Sequence, residues 1–226
     1  MFLKKFPFIF YLLIFAKVSF AQVPIPVREE PRHHRSLQNN YIRLLDVWLP
    51  PGDTTLFHIH EIPSLFVTLS ATKTESQVKG ENWVQGTFTF MPGHVWYNDF
   101  KNGPLIHRVL NNDSIPFHAM DIEILSNYDK DINHLSSLPF DTLFTNEKAF
   151  AYRVNLSNKD DKKLIENRGP IVVIVVSGPG ISVHFNDNKK PQEISQGKYV
   201  WIEPGTKCWF QNNRTDETLI VIFELK

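Results

Sequence analysis

The chain has 226 residues, is 42% hydrophobic and 13% aromatic, and balances 24 basic residues against 24 acidic ones. Nothing in that balance suggests nucleic-acid binding, which normally shows a basic patch or stripe, so no nucleic-acid partner is expected, while the hydrophobic fraction is enough for a sizeable core. The single cysteine, Cys208, rules out an intramolecular disulfide.

In chain order, residues 1–21 read as an export leader. Lys4 and Lys5 precede an apolar run over 6–16, and Ser19 and Ala21 are the small residues of a cleavage point before Gln22. The alternative is a retained anchor, but the run is short for a bilayer core of about 20 residues, and Lys17 interrupts it. Cleavage makes the mature chain secreted or periplasmic, slightly acidic and without membrane contact. Residues 22–40, rich in proline and charge, read as an extended N-terminal arm. His33 and His34 are adjacent, so on a strand they would face opposite ways, and both are read as surface residues.

From residue 41 onward, short β-branched and aromatic runs (65–69, 117–125, 171–176, 219–225) alternate with Pro and Gly punctuation. This pattern predicts an all-β sandwich or barrel. Only 160–167 reads as a helix, and it reads equally well as a polar loop. A weak internal repeat divides the chain, with Gly86, Pro92-Gly93 and a closing strand to Leu125 matched by Gly197, Pro204-Gly205 and a closing strand to Leu225. The expected organisation is thus residues 41–125, a linker over 126–150, and 151–226.

The first half carries the chemistry. Gly52 to His60 gives G-x5-H-x-H, and on a strand His58 and His60 share a face about 7 Å apart along the backbone. Two imidazoles at that spacing can converge on one metal ion. Gly86 to Gly93 gives G-x5-P-G, and His107 to Asn111 gives H-x3-N.

These elements, in this order, resemble the cupin superfamily, whose signatures are G-x5-H-x-H-x(3,4)-E-x6-G and G-x5-P-x-G-x2-H-x3-N. The resemblance covers 41–125 well and 151–226 in outline. It implies two antiparallel jelly-roll barrels, the first with a divalent metal on His58, His60 and His107. There are two departures from the family pattern. Ser64 or Leu65 stands where the family has its glutamate ligand, and Glu61 would point to the opposite face. The segment from Gly93 to His107 is also longer than the family spacing, which makes His94 a rival third ligand, although it lacks the H-x3-N context.

Imidazole suits zinc, copper, iron and nickel alike, so the ligand set does not name the metal; the resemblance to cupins implies iron first, with zinc, manganese, nickel or copper as alternatives. Trp96 and Tyr97, within the longer segment, read either as a substrate wall or as core and rim, and His118 reads as barrel lining. The second half has only His184 and Cys208, the latter near the second-motif histidine position, and reads as a metal-free, degenerate cupin. The functional expectation is a metal-dependent oxidoreductase of dioxygenase type acting on a small organic molecule. The alternative is a non-catalytic protein that binds a sugar or lipid fragment. Either function allows an oligomer.

Overall fold

A computed structural model describes residues 22–86, 89–128, 137–157, 162–185, 190–212 and 214–226. The leader expected over 1–21 lies outside the described residues. The N-terminal arm forms β1 (Ile25–Pro26), a 3-10 turn (Val27–Glu29) and β2 (His33–Gln38). The first half continues with β3 (Ile42–Leu49), β4 (His58–His60), β5 (Ser64–Thr68), β6 (Thr74–Val78), β7 (Val84–Gln85), β8 (Val95–Asn98), β9 (Leu105–Asn111) and β10 (Phe117–Ile124). The second half holds β11 (Asp141–Thr145), β12 (Ala149–Leu156), β13 (Lys162–Ile165), β14 (Ile171–Ser177), β15 (Ile181–Phe185), β16 (Gln192–Ile194), β17 (Tyr199–Ile202), β18 (Cys208–Asn212) and β19 (Thr218–Leu225).

Each half is a jelly-roll of two sheets, so the chain is all-β as expected. The first half joins β1-β4-β9-β6-β7 to β2-β3-β10-β5-β8, and the second joins β11-β12-β19-β14-β17 to β13-β18-β15-β16. The arm is not a free tether, because β1 pairs in parallel with β4 and β2 pairs with β3. It therefore adds an edge strand to both sheets of the first half. Where it is described, the segment at 160–167 is strand over Lys162–Ile165, with no helix. Ile165 pairs with Cys208 and is buried, so a tertiary partner decides what local propensity left open.

The apolar runs reflect burial on both faces of two central sheets. On β10 the even residues Met120, Ile122 and Ile124 join Leu65 and Val67 of β5 against Val172, Ile174, Val221 and Phe223 of the second half. The odd residues Phe117 and Ala119 face the interior of the first half with Val47 and Leu49. A strand buried on both faces reads as a continuous hydrophobic run. Full burial of one aliphatic side chain contributes about 1.5–3 kcal/mol, and Ile42, Leu44, Leu65, Ile122, Ile174 and Phe223 are all 0% exposed at this junction. The halves are therefore packed into one unit through their central sheets.

The repeat seen faintly in the sequence is explicit in the hydrogen bonds. Asn111 donates through Nδ2 to the carbonyls of Leu49 and Ile115 and accepts from the Asp113 N–H. Asn212 donates to Leu156 and Asp216 and accepts from Arg214. Glu123 is paired with Arg43, and Glu224 with Arg168. The register also corrects the expected alignment of turns. Gly93 donates its N–H to Thr68 O at 2.8 Å and precedes β8, while Gly197 donates to Val175 O at 2.8 Å and precedes β17. Gly93 thus matches Gly197, both with positive φ (82° and 73°), and Pro204-Gly205 belongs to the following turn. A shared Pro-Gly pair suggested the wrong match because the backbone conformation, which glycine alone adopts freely, is what the two turns share.

Candidate metal centre

The centre is built on β4 and β9. β4 lies between β1 and β9, and its two-residue side-chain period points His58 and His60 the same way, into the first half. His107 sits directly across from His58 in the β4–β9 pairing. The ring centroids lie 4.9 Å apart for His58 and His60, 4.6 Å for His58 and His107, and 5.1 Å for His60 and His107. One ligand nitrogen from each lies within 4.8 Å of the other two. Gly52 and Asn111, the motif residues that frame the histidines, tie the strand ends together. The Gly52 N–H donates to Asn111 O at 2.9 Å, at a φ of 74°.

The Nδ1 side of each ring faces a polar group. His58 Nδ1 lies 2.8 Å from Leu56 O, and His107 Nδ1 lies 3.1 Å from Ser76 Oγ. His60 Nδ1 lies 3.5 Å from Asp121 Oδ2 without forming a hydrogen bond. His60 Nδ1, His107 Nε2 and both Asp121 oxygens are buried with no hydrogen-bond partner. Burial, with His33 and His107 adding to it, brings His58 down to about 2, although the Leu56 carbonyl offsets part of this. Burial and then His33 bring His107 down to about 4. Burial, with the three neighbouring histidines, holds His60 well below its ordinary range. Burial and then Glu123 push Asp121 well above the usual carboxylate range, and Ser64 and Arg43 offset this only in part. Burial thus disfavours the charged form of both His60 and Asp121, which works against an ion pair between them.

These features fit a divalent cation. Three neutral imidazoles offer lone pairs, and a neighbouring positive charge favours ionised Asp121 as an acceptor for a His60 Nδ1–H. A carboxylate behind a ligating histidine is a recurrent arrangement in metal sites. Leaving a buried polar group unpaired otherwise costs about 1–3 kcal/mol.

Beside the three histidines lies a cavity of about 180 Å³. This is below the ~300–1,000 Å³ typical of pockets for drug-sized ligands, so it suits a small molecule. Trp96 lines it, stacked on Phe66 at 4.8 Å and 8° and on Phe90 at 5.7 Å and 22°. Tyr97 does not line the cavity. It occupies the opposite face of β8, packs at the junction of the halves and donates its hydroxyl to Glu147. His118 is likewise outside the cavity, because it lies on the even face of β10. Its Nε2 is 2.7 Å from Asp46 Oδ1, and its ring rests against Trp48 and beside Gly197. In both cases strand alternation excludes the residue while its neighbour, Trp96 or Ala119, reaches the cavity.

His94 is exposed and lies outside the three-histidine cluster, its ring 5.6 Å from that of Trp96. Glu61 is exposed, and Ser64 is buried with its hydroxyl donated to Ile62 O. The longer segment after Gly93 places Phe100 over His60, stacked at 5.6 Å and 15°, with its backbone at a φ of 52° that non-glycine residues seldom adopt.

Three groups at this site escaped the sequence reading. Asp121 gave one signal, an acid between Met120 and Ile122 in a largely apolar strand. His33 was read as a surface residue, but it is 8% exposed and lines the cavity. The alternation argument was right that His33 and His34 point apart, and His34 is the exposed one. It could not say that β2 pairs His33 with Val47 of the inward face. Glu30, 1% exposed, accepts from His33 and from the Arg32 and Leu56 N–H groups; burial pushes its carboxyl up, but these bonds hold it below its ordinary range.

The second half has no such centre among the described residues. By the same pairings, Ile165 stands for His58, Cys208 for His107 and Ile222 for Asp121, and all three belong to the apolar core. Burial pushes the Cys208 thiol up to about 12, which makes it an inert core residue.

No family model matches the sequence, and no curated relative does. The fold has many likenesses among solved structures. AerE from Microcystis aeruginosa aligns at a TM-score of 0.56 and 11% identity, over 87% of this chain and 98% of its own. Salicylate 1,2-dioxygenase from Pseudaminobacter salicylatoxidans aligns at 0.56 and 11%, over 86% and 78%. A cupin 2 conserved barrel domain protein from Leptotrichia buccalis aligns at 0.52 and 10%, over 85% and 87%. The chain has the cupin fold, in its two-barrel form.

Proposed function

We propose that this chain is an exported, metal-dependent oxidoreductase of dioxygenase type that acts on a small organic molecule in the cavity of its first half. The observation that carries the reading is the convergence of His58, His60 and His107, with an orphaned nitrogen on each of the latter two, at an aromatic-walled cavity. A redox-active metal, iron first, supplies the electron transfer to dioxygen that no side chain here can perform. His58, His60 and His107 hold the ion, and Asp121 orients His60. Phe66, Phe90 and Trp96 offer stacked faces that exclude water and accept a planar substrate. Three neutral imidazoles with no carboxylate among them would leave the charge of a divalent ion uncompensated, which would favour an anionic substrate group.

Export is read from the leader pattern of residues 1–21, with Lys4 and Lys5 before the apolar run over 6–16 and Ser19 and Ala21 before Gln22. Gln22, the residue after the cleavage point, bonds the backbone N–H and carbonyl of Phe57 through its side-chain amide.

The test is metal analysis of protein purified without chelators, followed by oxygen-electrode assays of the iron(II)-loaded protein. The panel begins with hydroxylated aromatic acids, the class named in the salicylate dioxygenase that shares the fold. Substrate-dependent oxygen uptake that is lost in His107→Ala supports the proposal. Saturable ligand binding with no oxygen uptake, whatever metal is loaded, moves the assignment to a binding protein.

A further inference from the structure

We infer that His33, delivered by the N-terminal arm and fixed by Glu30, is a fourth imidazole ligand of the metal centre. This rests on the metal reading of the first half. The His33 ring centroid lies 4.8 Å from that of His58, within the 4.6–5.1 Å spacing of the three motif histidines, and 6.4 Å from that of His60. Its Nδ1 is held by Glu30 Oε2 at 2.7 Å. Nε2 is therefore the nitrogen left to the cavity, and it makes no hydrogen bond among the described residues. A histidine whose Nδ1 is held by a carboxylate and whose Nε2 is free is arranged as a metal-ligating histidine is. Leu56 O and Ser76 Oγ flank the Nδ1 atoms of His58 and His107 in the same way.

The surroundings of Glu30 show a built site rather than a chance contact. Glu30 accepts from the N–H of Leu56 at 3.0 Å, and the Leu56 carbonyl in turn faces His58 Nδ1 at 2.8 Å. One residue thus ties the arm's carboxylate to the motif strand. Arg32 reinforces the arrangement with a two-bond contact to Asp53, at 3.0 and 2.8 Å. The arm pairs with both sheets, β1 against β4 and β2 against β3, so His33 is carried on ladder-bonded backbone. Ser64 offers no carboxylate ligand, and His33 supplies a protein donor from a different part of the chain. Four imidazoles suit zinc, copper, iron or nickel and disfavour magnesium and calcium, which take oxygen ligands.

The experiment uses the full chain, metal-free and titrated with cobalt(II). The readouts are the dissociation constant, from competition with a chelator, and the visible d–d spectrum. His33→Ala should weaken cobalt binding by about 100-fold and shift the visible band, and Glu30→Gln should weaken it by about tenfold. Free imidazole should restore the wild-type band in His33→Ala, which the loss of a merely structural contact would not allow. Unchanged affinity and spectrum in His33→Ala, with wild type binding normally, overturns this inference and leaves the three-histidine centre standing. Failure of imidazole to restore the band also overturns it. If wild type itself binds no cobalt, the metal reading fails and this inference with it. Should His33→Ala not fold, pulsed EPR of the copper(II)-loaded wild type decides the matter, because four coupled imidazoles support the inference and three overturn it.

Discussion

Replacing Asp121 by leucine should move stability and metal affinity in opposite directions. Asp121 is 2% exposed, both its oxygens lack a geometrically formed hydrogen bond, and His60 Nδ1 lies 3.5 Å from its Oδ2. The equivalent strand position in the second half is Ile222, 0% exposed, so the fold accepts a branched aliphatic side chain there. Removing a buried, unpaired polar group recovers about 1–3 kcal/mol. For a chain of this size each kcal/mol raises the melting temperature by about 2–4 °C, so metal-free Asp121→Leu should melt several degrees above wild type. The same change removes the carboxylate that orients His60, and loss of such a partner typically lowers metal affinity by about 10–100-fold. Differential scanning calorimetry in chelator and a competition titration with zinc measure the two effects on one preparation. A metal-free variant that melts below wild type would refute the reading of Asp121 as an unpaired group kept for the site. Unchanged zinc affinity would refute its role toward His60.

The remaining expectations are simpler. His107→Ala should reduce zinc or cobalt affinity sharply, by at least about tenfold, while the exposed His94→Ala leaves it nearly intact; the reverse ranking would discard the second-motif assignment. The metal-free protein should lose stability as pH falls from about 6.5 toward 4. Unfolded histidines protonate near 6.5, whereas burial brings His107 to about 4, so the unfolded chain binds more protons across that window. Each pH unit crossed costs about 1.4 kcal/mol per such histidine, and urea melts of chelated protein at about pH 7.5 and about pH 5 should differ accordingly. Asn111→Ala and Asn212→Ala each remove three hydrogen bonds from matching turns and should each destabilise the fold by about 2–4 kcal/mol. Denaturant titration checks this, and a large cost in only one half would contradict the structural repeat.

The sequence by itself determined the all-β class, the two halves and the three motif histidines. Each of these is written in local spacing: Pro and Gly between short runs, residues two apart sharing a strand face, and a motif order that survives without its glutamate. What local spacing cannot state is which strand lies beside which. His33 and His34 differ only in facing, and the pairing of β2 with β3, set by burial of the inward face, put His33 in the cavity. Trp96 and Tyr97 were equally aromatic, and His118 was equally plausible as lining. The sheet each strand joined, with one face toward the cavity and the other toward the second half, kept Trp96 and excluded the other two. Asp121, Glu30 and His60 are far apart in sequence, and the tertiary structure shifted each of them: burial pushes Asp121 up and His60 down, while bonds from His33, Leu56 and Arg32 hold Glu30 low against its burial. An isolated carboxyl or imidazole keeps its ordinary pKa until the fold removes the water around it.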